Sequence, residues 1–244
     1  MSPIFTCDLG AQSYSFRNFD YQGAIRCLKR LGLDSIEFCN VHFPPDPSNP
    51  ALPEIRKHIA REGVKVRCFG VEAFTGDHDA NRRKFEFARE LRAQVLTADP
   101  APDSFDSLDR LTEKFGIKVA IHNHGPGARY DKVEDTLHAI ESHSIMIGAC
   151  VDTGHALRSG EMPHNLIARL GVRLISLHLK DWKVGGDEQI LGEGDMNLVE
   201  VARALHAINF MGPIMIEYEN SPDNPVPDMK RGIGNWLNAC SFLQ

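Results

Sequence analysis

The stretch KFGIKVAIHNHG, residues 114–125, decides the fold. It opens on the end of a helical pattern, and Gly116 stands where a helix can be capped. Beyond it Val119, Ile121 and Asn123 alternate with Ala120, His122 and His124, the two faces of a strand. One face is mainly apolar, as packing on helices requires. The other turns polar near the strand's C-terminal end. RLISLHLKD (173–181) repeats the pattern, with Leu177 and Leu179 opposed to Ser176, His178 and Lys180. So does PIMIEYEN (213–220), with Ile214, Ile216 and Tyr218 opposed to Met215, Glu217 and Glu219.

Working outward, the same glycine return into a strand occurs in RLGLDSIEF and REGVKVRCF. The chain reads as eight strands, centred on Cys7–Ser13, Ser35–Cys39, Lys65–Gly70, Gln94–Ala98, Lys118–Asn123, Ile147–Asp152, Leu174–Leu179 and Pro213–Tyr218. Helical stretches follow them at roughly 19–31, 51–63, 77–91, 103–116, 131–143, 162–170, 197–209 and 226–241. Regular β-then-α alternation implies a parallel sheet, and eight such units imply closure into a (β/α)8 TIM barrel. A length of 244 residues suits one such barrel, so 1–244 is read as a single domain.

Composition excludes several classes. A formal net charge of -6 argues against a nucleic-acid partner. No apolar run approaches a membrane span, and MSPIFTCDLG shows no basic stretch leading into an apolar one, so neither a membrane nor a secretory signal is expected. The six cysteines are scattered with no C-x-x-C pair, which reads as reduced thiols of a cytoplasmic protein. A homo-oligomer is left open.

Four polar residues end four successive strands: His122, Asp152, His178 and Glu217. Neighbouring barrel strands bring such residues to one point at the C-terminal mouth, where barrel active sites sit. Two imidazoles and two carboxylates suit one divalent ion, Mn²⁺ first, with Co²⁺, Fe²⁺ or Zn²⁺ ahead of Mg²⁺. Any one of the four alone reads as a hydrogen-bonded core residue. Two carboxylates buried together without a cation would be costly.

The stretches VAIHNHGP, CVDTGHALRSGE, LISLHLKDW, ILGEG and IMIEYEN resemble the xylose isomerase-like TIM barrels, the sugar phosphate isomerase/epimerase group that also includes AP endonuclease-type enzymes. The resemblance is strongest from Lys118 to Asn220, and D-T-G-H is its most specific part. It implies that Asp152, His178 and Glu217 are metal ligands and that His155 contacts substrate. It also turns Glu37 toward the mouth, to bind substrate or a neighbour, and sets Glu193 in a glycine-rich turn. One departure is His122, where many family members carry glutamate. A histidine there can bind metal or act as a base, but does not reproduce a two-glutamate epimerisation.

The activity implied is abstraction of a proton next to a carbonyl of a small sugar, through a metal-stabilised enediolate. Glu217, or His122 if it is not a ligand, is the expected base. His124, His155 and Lys180 lie near the mouth as donors or proton shuttles, with Lys180 alternatively paired to Asp181 or Glu219. Arg158 is either a substrate contact or a surface residue. No glycine-rich cradle opens a helix, which leaves a phosphorylated substrate unsupported. The primary expectation is an isomerase or epimerase on a keto-sugar, and the alternative is a lyase or dehydratase on a 3-keto-sugar or inosose. A DNA-repair endonuclease would need further histidines on the third and fourth strands, which KVRCFGVEAF and QVLTADP lack. A barrel without chemistry is the last alternative.

Overall fold

The computed structural model describes residues 8–243, so Cys7 and the rest of the opening MSPIFTC lie outside the described residues. Eight parallel strands close into a barrel: β1 (Leu9–Gln12), β2 (Ser35–Phe38), β3 (Lys65–Phe74), β4 (Val95–Pro100), β5 (Lys118–His122), β6 (Ile147–Asp152), β7 (Leu174–Leu179) and β10 (Ile214–Ile216). β10 pairs with β7 on one side and with β1 on the other, Leu9 opposite Ile214. A short antiparallel ribbon of β8 (Asp181–Trp182) and β9 (Glu188–Gln189) stands between β7 and β10 in the chain.

Each expected helical stretch holds a helix: α1 (Tyr21–Arg30), α2 (Leu52–Arg61), α3 (His78–Glu90), α4 (Phe105–Phe115), α5 (Val133–Ile140), α7 (Pro163–Leu170), α8 (Leu198–Ala207) and α9 (Val226–Ser241). The sequence supplies their punctuation. Asp20, Asp77 and Asn197 cap the starts of α1, α3 and α8 by accepting backbone N–H groups. Gly116 ends α4 at φ 66°, a left-handed conformation that a side chain would strain. A ninth helix among the described residues, the short α6 (Thr153–Arg158), was not anticipated and follows β6 directly.

The alternation seen in the strands sorts their side chains into two layers. Val119, Ile121, Val151, Leu177, Leu179, Ile214 and Ile216 share one buried cluster with helix residues such as Leu108, Leu111, Ile167, Val201 and Leu205. Burying side chains of this kind stabilises the fold by about 1.5–3 kcal/mol each. A second, smaller cluster fills the barrel's interior: Cys68, Val95, Ala120, Cys150, Ile175 and Met215. Ile175 breaks strict alternation. Leu174 pairs with Ala149 but Ser176 pairs with Cys150, so β7 carries one extra residue there and Ile175 turns inward. No helix among the described residues is long and apolar enough to cross a membrane.

Candidate metal centre

Strand register builds the site. Asp152 pairs directly with His178 across β6 and β7, while His122, the last residue of β5, pairs with Cys150. Met215 opposes His178 on β10, so Glu217 stands two residues further along. Ligating atoms of His122, Asp152, His178 and Glu217 all lie within 4.8 Å of one another. Nε2 of His122 is 3.2 Å from Nδ1 of His178 and 3.7 Å from Oδ2 of Asp152, and Nδ1 of His178 is 3.1 Å from Oε2 of Glu217.

These residues fit a divalent cation. Two imidazole nitrogens face each other, and at most one can carry a proton along that line. Oδ2 of fully buried Asp152 has no hydrogen-bond partner, nor has Nδ1 of His122. Buried polar atoms are otherwise almost always paired. Burial would raise the carboxyl of Asp152, yet His155 and Lys180 bring it well below the usual carboxylate range. Glu217 goes down to about 2, because Lys180 and His178 outweigh its burial. Both therefore stay anionic beside the two imidazoles.

The D-T-G-H turn can now be read residue by residue. Oδ1 of Asp152 accepts from the backbone N–H of His155 at 2.7 Å and so caps α6. Thr153 donates its hydroxyl to the carbonyl of Lys180 at 2.6 Å and accepts from that residue's N–H, tying the turn to β7. A Cβ on Gly154 would stand 2.8 Å from Cγ of Lys180. Asn123, which the sequence reading passed over, grips the backbone N–H and C=O of Asp152 with its amide, at 2.7 and 3.0 Å.

Above the four donors lies a cavity of about 310 Å³. Gln12, Tyr14, Cys39, Asn40, Gly70 and Val71 line one side, and His122, His124, His155, His178, Glu217 and Glu219 the other. The rings of His122 and His124 are 4.6 Å apart, and each is 5.7 Å from that of His155. Burial holds all three below the usual histidine range, so they are neutral near pH 7. Larger grooves of about 1110 Å³ along α4 and α5, and about 550 Å³ at the N-terminal ends of the strands, have no such convergence of donors. Converging polar groups, not size, mark the site.

The remaining anticipated residues fall in different places. Lys180 is buried with its ammonium on Glu219 and 3.7 Å from Oε1 of Glu217. Burial opposes its charge, but Glu217, Asp152 and Glu219 outweigh it and move the pKa up. Asp181 does not take part in that pairing. Arg158 is exposed, over the Trp182 ring at 4.8 Å, and donates to Nδ1 of His155 at 2.9 Å. Glu37 is fully buried and meets the quartet through Nε2 of His178, at 3.0 Å, without lining the cavity. Glu193 is not brought to the mouth: its carboxylate pairs with Arg231 on α9 at 2.6 Å.

Glu188 is a residue that no local pattern announced. It is buried, and its carboxylate accepts backbone N–H groups of Glu219 and Asn220 at 2.9–3.0 Å, bracing the segment after Glu217. Burial raises it to about 7. A folded-state value above the unfolded one adds stability at low pH, and that stability is lost as pH rises through about 7. Between pH 5 and 8 the wild type should therefore lose on the order of 2 kcal/mol, or about 5 °C in Tm, relative to Glu188→Gln. Parallel pH profiles of the two proteins in thermal melts would refute this.

Residues 25–240 match the family described as xylose isomerase-like TIM barrel, and the chain belongs to that family. An inosose dehydratase from Clostridium beijerinckii is 27% identical over 139 residues, which are 49% of this chain and 46% of that protein. An uncharacterized protein from Methanocaldococcus jannaschii is 30% identical over 209 residues, 75% of this chain and 65% of the other. The chain thus spans about half to two thirds of these curated relatives. Among solved structures, an L-ribulose 3-epimerase superposes with a TM-score of 0.77, at 15% identity, over 97% of this chain and 95% of its own, a likeness of fold.

Proposed function

We propose that the protein is a divalent-metal-dependent enzyme that removes the proton next to the carbonyl of a small polyhydroxylated compound, acting as an isomerase or epimerase. The observation that carries this reading is the buried quartet, in which Oδ2 of Asp152 has no hydrogen-bond partner, set beneath a cavity of about 310 Å³. His122, Asp152, His178 and Glu217 would hold the ion, with Mn²⁺ the first choice for two nitrogen and two carboxylate donors. A bound divalent ion supplies a Lewis acid that lowers the cost of negative charge on a carbonyl oxygen.

The chain's own groups do the rest. Glu217 lines the cavity as a carboxylate, and its Oε1, the oxygen turned away from His178, takes the proton. Lys180 next to that oxygen keeps it anionic beforehand. His155 accepts from Arg158 at Nδ1, so its neutral ring carries a proton on Nε2 and serves as a donor to a substrate oxygen. His124 stands beside it as a second neutral imidazole.

The inosose dehydratase relatives favour a second reading, loss of water after the same proton abstraction. Both are tested by incubating Mn²⁺-loaded protein with keto-sugars and inososes in D₂O. We expect deuterium at the carbon next to the carbonyl, slowed about 10³-fold in Glu217→Gln. A product of unchanged composition identifies an isomerase or epimerase, and loss of water a dehydratase. No exchange with any compound would sink the proposal.

A further inference from the structure

We propose that Glu37 is a positioning residue of the metal centre, which fixes the ring of His178 so that Nδ1 offers its lone pair to the cation. The inference rests on the metal reading above. Both side chains are fully buried, and Oε2 of Glu37 lies 3.0 Å from Nε2 of His178. The opposite nitrogen, Nδ1, is the one turned to His122 and Glu217.

A carboxylate can only accept, so the proton of a neutral His178 ring resides on Nε2. Nδ1 is then free of hydrogen. The negative partner also increases the ring's donor strength toward a cation, the usual service of a carboxylate behind a metal-bound histidine. The backbone of Glu37 is fixed for this task, and Oε1 has no hydrogen-bond partner that would draw the carboxylate away from His178. It lies on β2, where every residue from Ser35 to Phe38 is buried, between Gln12 on β1 and Cys68 on β3 in register. It reaches across the barrel from the far side of the ring and touches no cavity wall, which separates it from a substrate contact.

If Glu37 only satisfied a buried histidine, its loss would lower stability without selectively weakening the cation. The test is Co²⁺ titration of metal-stripped full-length wild type, Glu37→Gln and Glu37→Ala by calorimetry and visible absorption. Nitrogen-15 NMR of the Zn²⁺-loaded proteins reports the Nε2 proton of His178. We expect Glu37→Ala to bind Co²⁺ about 10–100-fold more weakly than wild type. Glu37→Gln, which still accepts from Nε2, should fall between them with the Nε2 proton retained. Should Glu37→Ala fail to fold, the reduced affinity of Glu37→Gln decides. Equal Co²⁺ affinity in wild type and variants, or a His178 proton on Nδ1 in the loaded protein, overturns the role of Glu37 alone. Wild type that takes no Co²⁺ overturns the metal reading together with it.

Discussion

Asp152→Ala is expected to purify without metal, where wild type supplied with Mn²⁺ carries close to one equivalent. Asp152 contributes a fully buried carboxylate whose Oδ2 has no hydrogen-bond partner and is therefore available to the ion. Its removal should weaken binding by more than the ~10–100-fold typical of losing a residue behind a ligand. His178→Ala and Glu217→Ala should behave alike. Metal also reports itself in stability: at a free concentration about 100 times Kd it adds roughly 2.7 kcal/mol, or about 5–10 °C in Tm for a chain of this size. That gain should vanish in the variants. Because Asp152 also caps α6, Asp152→Ala loses about 1 kcal/mol regardless of metal. Asp152→Asn, whose amide oxygen can still accept from His155, separates the two effects. Retained metal in His122→Ala alone would make His122 a base or substrate contact instead of a ligand. Retention in Asp152→Ala would end the four-donor account.

The largest loss of stability is expected at Asp181, outside the quartet. Its carboxylate is buried and accepts four backbone N–H groups: those of Trp182 and Met196 on Oδ1, at 2.8 and 3.1 Å, and those of Gly192 and Gly194 on Oδ2, at 2.8 and 3.0 Å. The loop 190–196 is wrapped around one anion, and a Cβ on Gly194 would run into Oδ1. This is the physical reason for Gly194 in ILGEG, while Gly192 adopts φ 89°, which a side chain would strain. Asp181→Ala leaves four donors without an acceptor, some of which water will reach, at a cost of about 3–5 kcal/mol. Asparagine should not rescue it, since its NH₂ would face two N–H donors. Denaturant unfolding measures the loss, and amide exchange at residues 192, 194 and 196 should quicken with it. A loss below about 1 kcal/mol would contradict this account of the loop.

What the sequence disclosed follows from what periodicity can encode. His122, Asp152, His178 and Glu217 share the inward parity of Ala120, Cys150 and Met215 and sit at strand ends, so alternation alone brought them together. The helices followed from capping residues and glycines written beside them. Two-residue strands such as β8 and β9 have no period to read, and the bulge at Ile175 is set by its partner strand. The partner of Glu37 lies 141 residues away, so its bond to His178 had no local trace. Glu193 illustrates the opposite case: it stands beside the glycines that form the loop, but its direction is fixed by Arg231. Between the two pairings open to Lys180, burial beside Glu219 decided, because Asp181 was already committed to backbone donors.

The cavity wall has a division of labour. Every side chain placed to hold the cation comes from β5 onward, whereas the facing wall, Gln12, Tyr14, Cys39, Asn40, Gly70 and Val71, belongs wholly to β1 through β3 and their loops. On the proposed reading, the donors of the ion and the wall that faces them are thereby written in separate halves of the sequence. Recombination that exchanges the first half would present the same ion to a different molecule, provided a carboxylate still stands at position 37.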